Sequence, residues 1–191
     1  TLYCAVNQAF FMGLLFFISG YFSPISLDRK GTIRFIRDKL VRLGIPLLFY
    51  AFVLGPALAY SLYYSDTQSF GGYYSSRILS FREIGFGPLW FVEALLIFNL
   101  AYILWRTVFR HTRIWRFPSI RALLAIALLT GVVAFSIRLF CPTGMNVLQM
   151  QLGYFASYVA LFVAGIVAYR SGWLEAIPQK TVRVWSLIAA A

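Results

Sequence analysis

Apolar residues in this chain do not alternate with polar ones at a surface-helix or strand period. They run together in long stretches separated by short charged clusters. Five such stretches stand out: Ala5–Phe22, Leu43–Tyr64, Pro88–Trp105, Ala122–Phe140 and Gly153–Tyr169. At 1.5 Å per residue each reaches about 25–33 Å, enough to cross the hydrocarbon core of a bilayer. A sixth run begins at Val184 and has eight residues where the chain stops at Ala191. The pattern predicts an all-α, polytopic transmembrane helix bundle, with five complete spans plus the start of a sixth in a single domain over residues 1–191. Pro46 falls in the first turn of the second span, where a missing N–H costs little, and Pro56 predicts a mid-span kink. Small residues at Gly55/Ala59 and Ala164/Ala168 suit close helix packing.

Composition strengthens this reading. The 191 residues are 61% hydrophobic and 12% charged, against about 25% charged in a soluble domain. The net charge of +11 does not signal nucleic acid, because its cations sort between the predicted connections. Fourteen of the seventeen lie after the first, third and fifth runs. Arg77, Arg82 and Arg138 are the other three. By the positive-inside rule the basic connections face the cytoplasm, which places Thr1 outside. No nucleic-acid motif accompanies the charge. Cys4, Cys141 and the single His111 fall far short of a metal-ligand pattern, so no metal is expected. Both cysteines fall at outer span ends, where a disulfide is geometrically conceivable.

The chain starts at Thr1 and its last apolar run is short, so the expectation is a fragment truncated at both ends. With the first run entering from outside, an odd number of spans is expected upstream, one being the simplest case.

Three stretches carry a resemblance. "FFMGLLFFISGYFSP" closes a Phe-rich run with Ser19-Gly20-Tyr21, a basic segment leads into "RDKLVRLGIPLLFY", and "LWFVEALL" follows. In this order they resemble the acyltransferase-3 family of membrane acyltransferases, over about residues 5–105. Together with "DRKGTIRFIRDKL" they look closest to its branch that succinylates periplasmic glucans. The resemblance implies a bacterial inner-membrane enzyme that moves an acyl group from cytoplasmic acyl-CoA to a hydroxyl of a periplasmic glucan or related saccharide. The resemblance thus implies a transferase of groups other than aminoacyl groups. Acyl-CoA is then a co-substrate, and no resident cofactor is implied. The family's catalytic element is Arg or Lys, ten residues, then His. No cation stands at that spacing before His111, so this general base is expected upstream of Thr1, and the 191 residues alone are expected to be inactive. His111, among cations, is read as facing lipid headgroups.

The first connection contains Arg34-Phe-Ile-Arg37 and Lys39-Leu-Val-Arg42. On a helix each pair shares a face and can clamp one anion. Arginine forks suit the phosphates of coenzyme A, although the same cations equally anchor a connection at anionic headgroups. The family's Arg-x-x-Arg motif matches either pair, with Lys39 a departure. In the first run, Gly20 permits close approach of a backbone, Ser19 lacks a base near it in sequence, and Tyr21 suits a membrane interface.

Glu93 is the unusual residue, a carboxyl group inside an apolar run. Such a group costs on the order of 3 kcal/mol at mid-span and marks a pathway or a paired site. With Trp90 on the same face, it reads as positioning a sugar hydroxyl or orienting the upstream histidine. The structural alternative is an ion pair with Arg138, Arg77 or Arg82, the other candidates for the acceptor side. The connection holding Arg77 and Arg82 also carries Phe70, Tyr73, Tyr74, Phe81 and Phe86. These suit a saccharide platform or contact with lipid. A second function remains open from the residues alone: a transporter or flippase component for a lipid-linked or modified sugar, which the same kink and intramembrane carboxyl would serve.

Overall fold

The computed structural model describes residues 2–65, 68–109, 114–140 and 155–176. Among these the regular structure is helical. Helix α1 spans Leu2–Lys30 and α2 spans Thr32–Tyr64. A short helix, α3, covers Phe70–Tyr73 and continues as one wide turn, Tyr74–Ile78. Then come α4 at Trp90–Val108, α5 at Ile120–Phe140 and α6 at Phe155–Arg170. Four of these helices are long and apolar enough to cross a membrane, and α6 adds a shorter apolar helix. The protein is therefore a multi-pass helical membrane protein. The predicted sixth run from Val184, His111 and the Cys141 half of the conceivable disulfide lie outside the described residues.

The first two helices differ from expectation in length. Helix α1 does not end at Phe22; it continues through Pro24, which is buried inside it. A proline removes one backbone hydrogen bond, a loss that a packed helix tolerates. Beside it the Ser23 hydroxyl donates to the Ser19 carbonyl at 2.6 Å. What looked like a twenty-residue basic connection is a single residue between the two helices, Gly31, with φ of 74°. That left-handed conformation favours glycine, since a Cβ there would strain the backbone.

Helix α2 has 33 residues, about 50 Å, whereas a bilayer core is about 30 Å thick. Its first turns, with Arg34, Arg37, Asp38, Lys39 and Arg42, thus project beyond the hydrocarbon. Wide π-type turns at Leu40–Gly44 and Tyr50–Leu54 precede Pro46 and Pro56. Here the predicted irregularity of the span takes the form of wider turns. Pro56 offers no N–H to the Phe52 carbonyl four residues back. The Tyr74 hydroxyl donates to that carbonyl at 3.0 Å.

The described residues fall into two compact units. One takes α1 up to Arg29, residues 107–136 and α6. There α1 and α6 run parallel, since their contacts advance together: Phe16 stacks on Tyr158 at 4.6 Å, Tyr21 meets Tyr169 edge-on at 5.5 Å, and Arg170 pairs with Asp28. At that same end Trp115 N–H donates to Ser171 Oγ, and Trp173 Nε1 donates to the Trp115 carbonyl. The other unit runs from Lys30 to Arg106 and includes the end of α5. It contains every candidate site residue except Ser19, Gly20 and Tyr21.

Candidate functional site

At the start of α2 a cleft of about 320 Å³ is lined by Lys30, Arg34, Arg37 and Asp38. Local structure explains the arrangement. Phe35 is fully buried and fixes the rotation of the first turns of α2. Arg34 and Arg37, three apart, then lie together on the accessible side. Lys30 comes from the end of α1 across the Gly31 turn and pairs with Asp38.

Of the four cations expected to bind coenzyme phosphates, Arg34 and Arg37 line the cleft, while Lys39 and Arg42 do not. Lys39 lies over the Phe35 ring at 5.2 Å. Arg42 is exposed one turn further along. The sequence reading missed Lys30 and Asp38, because it counted spacing along one helix and the second helix of the cleft was not foreseen.

Glu93 lies in the first turn of α4, after the 3₁₀ turn Gly87–Leu89. An acidic group there meets the positive end of the helix dipole. It is 7% exposed, beside the fully buried Ala94, with Trp90 half-buried one turn earlier. Its Oε2 is buried and has no hydrogen-bond partner among the described residues. The ion pair offered as the alternative does not form with Arg77, because Arg77 pairs with Glu83. Arg82 and Arg138 are exposed. A buried polar atom without a partner is costly and needs an explanation.

The connection between α2 and α4 packs onto the end of α2. Tyr64 stacks on Tyr73 at 4.8 Å and donates to Glu83 Oε1 at 3.1 Å. The Arg77 guanidinium sits over the Tyr64 ring at 5.1 Å. Tyr60 donates to the Gln68 carbonyl at 2.9 Å and meets Phe70 edge-on. Burial, with the Glu83 charge as a lesser cause, raises the Tyr73 phenol above its ordinary pKa. Tyr73 and Tyr74 are thus committed to packing, whereas Phe81 is exposed with φ of 58°.

Ser19, Gly20 and Tyr21 do not end a helix. They lie well inside α1, at its crossing with α6, where a Cβ on Gly20 would fall into the Phe162 carbonyl.

The acyltransferase-3 family model, described as an acyltransferase domain, matches residues 3–191, nearly the whole chain and both compact units. The chain belongs to this family of membrane acyltransferases. Comparison with curated proteins and with solved structures returned no match.

Proposed function

We propose that the protein is an O-acyltransferase of the bacterial inner membrane, moving an acyl group from acyl-CoA to a saccharide hydroxyl. Succinyl is the group and a periplasmic glucan the acceptor that the sequence resemblance favours. The observation that carries the donor side is the pairing of Arg34 and Arg37 in one cleft, on turns of α2 that project beyond the hydrocarbon. Guanidinium forks in that setting suit the diphosphate and 3′-phosphate of coenzyme A. This reading places the basic connections in the cytoplasm, where acyl-CoA is made.

The acceptor side is assigned to Glu93 and Trp90. The cleft lies at the start of α2, and Glu93 follows the connection from its far end. The coenzyme's pantetheine arm must therefore extend into the span to bring the thioester toward the acceptor. The acceptor oxygen bonds to the thioester carbonyl carbon and the C–S bond breaks. A general base takes the hydroxyl proton, which passes to the departing sulfur. The Glu93 carboxyl, whose buried Oε2 has no hydrogen-bond partner among the described residues, orients either that base or the acceptor hydroxyl.

Release of free thiol from succinyl-CoA by the full-length protein in membranes tests this reading. Thiol release that depends on added glucan is expected. Sugar movement across the membrane with the thioester intact would instead support the transporter reading.

A further inference from the structure

The donor cleft contains a cation that the Arg-x-x-Arg pattern does not. Lys30 ends α1, and Gly31, at φ 74°, turns it back against the second turn of α2. There its Nζ meets the Asp38 carboxylate. The lining of the cleft therefore sets three cations against one acidic group.

We propose that Lys30 is a phosphate-binding residue of this cleft and that Asp38 positions it, yielding it to the phosphate of the incoming coenzyme. The inference rests on the acyl-CoA reading. Both side chains are partly open to water, at 36% and 38% exposure, so exchanging one anion for another leaves neither charge stranded. A pair this exposed is held weakly, and a phosphate carrying more charge than a carboxylate displaces it. Lysine suits the role because its ammonium is a point charge on a flexible stem, free to turn from Asp38 to a ligand. Arg34 and Arg37 supply the planar forks, on the side of α2 away from the buried Phe35. Asp38 then has two effects. It keeps Lys30 at the cleft, and it competes with the ligand for it.

That double role separates this proposal from a simple structural tie between α1 and α2. Coenzyme A is titrated into the full-length protein in phosphatidylcholine nanodiscs, and Tm is recorded for each variant. Lys30→Gln is expected to raise Kd by about tenfold, the usual scale for a charged hydrogen-bonding contact. Asp38→Asn is expected to lower Kd by about threefold, because the competing charge is gone. Should both variants lower Tm and leave Kd unchanged while Arg34→Gln/Arg37→Gln raises Kd by about tenfold or more, the pair is a tie and this inference fails alone. Should the wild type not bind coenzyme A, or the double arginine variant bind it normally, the acyl-CoA reading fails and takes this inference with it. The titration is repeated with phosphatidylglycerol in the disc. Loss of coenzyme binding there would assign the cleft to lipid headgroups and overturn the proposal.

Discussion

Gly20 and Gly165 touch backbone to backbone. A Cβ built on Gly165 would fall into the Phe17 carbonyl and lie 3.1 Å from the Gly20 carbonyl carbon, and one on Gly20 would fall into the Phe162 carbonyl. In a bilayer, lipid tails are as apolar as the helices, so close backbone approach between small residues drives association. The parallel pair α1 and α6 is held at this point, with the Phe16–Tyr158 stack on one side and the Asp28–Arg170 pair on the other. Gly165→Ala is expected to destabilise the folded protein by about 1–3 kcal/mol, the usual cost of overpacking a close contact. Ala164→Gly, next to it and half-buried, is expected to cost at most about 1 kcal/mol, through helix propensity. Thermal unfolding in detergent compares them. Equal losses would show that the crossing is not the tight point.

The Tyr74 hydroxyl donates to the Phe52 carbonyl, four residues before Pro56. Tyr74→Phe is expected to lower stability by about 1 kcal/mol, the net value of a hydrogen bond. In a Pro56→Ala background the span regains its own donor, so the same Tyr74→Phe change is expected to cost less. A double-mutant cycle reads the difference directly. Additive losses would show that Tyr74 serves something other than that carbonyl.

Arg77 and Glu83 close the connection between α2 and α4. Their side chains are 43% and 30% exposed, so solvent screening keeps the pair's contribution small. Arg77→Gln and Glu83→Gln are expected to shift Tm little and by similar amounts, with no further loss in the double variant. A large effect of Glu83→Gln alone would point to its contact with Tyr64 as the stronger bond.

Glu93 tests whether a costly group has a job. If its carboxyl serves only the fold, removing it lowers stability. If it serves chemistry, Glu93→Leu is expected to keep or raise Tm and to abolish acyl transfer, since buried charge is replaced by apolar volume. Glu93→Gln is expected to fold normally and lose on the order of tenfold or more in kcat, the lower range for an orienting or acid–base group. Wild-type activity in Glu93→Gln would remove this residue from the site.

Much of this structure was legible from hydrophobicity alone, for a physical reason. A bilayer forces each span to be apolar throughout and helical, so long runs identify spans without any tertiary information. The same rule hides what lies beyond the membrane. The turns of α2 before Ile45 are polar because they leave the hydrocarbon, and polarity there looked like a loop. The first apolar run was read as ending at Phe22, yet α1 continues through the buried Pro24 to Lys30. The Ala164/Ala168 pair identified the packed face of α6, and Ala168 is buried, but the contact itself belongs to Gly165. Arg34 and Arg37 were visible as a spacing on one helix. Lys30 was not, because its place in the cleft depends on one left-handed glycine between two helices. The unusual carboxyl at Glu93 was evident, and its lack of a hydrogen-bond partner at Oε2 needed the packing around α4.

The donor cleft is the center of the functional reading, and a kinetic split tests it most directly. Acyl transfer by the full-length protein is measured against acyl-CoA concentration for wild type and for Arg34→Gln/Arg37→Gln. The expected result is a KM for acyl-CoA raised by about tenfold or more, from two lost charge-assisted contacts, with kcat within about twofold. An unchanged KM would contradict the assignment of coenzyme phosphates to this cleft.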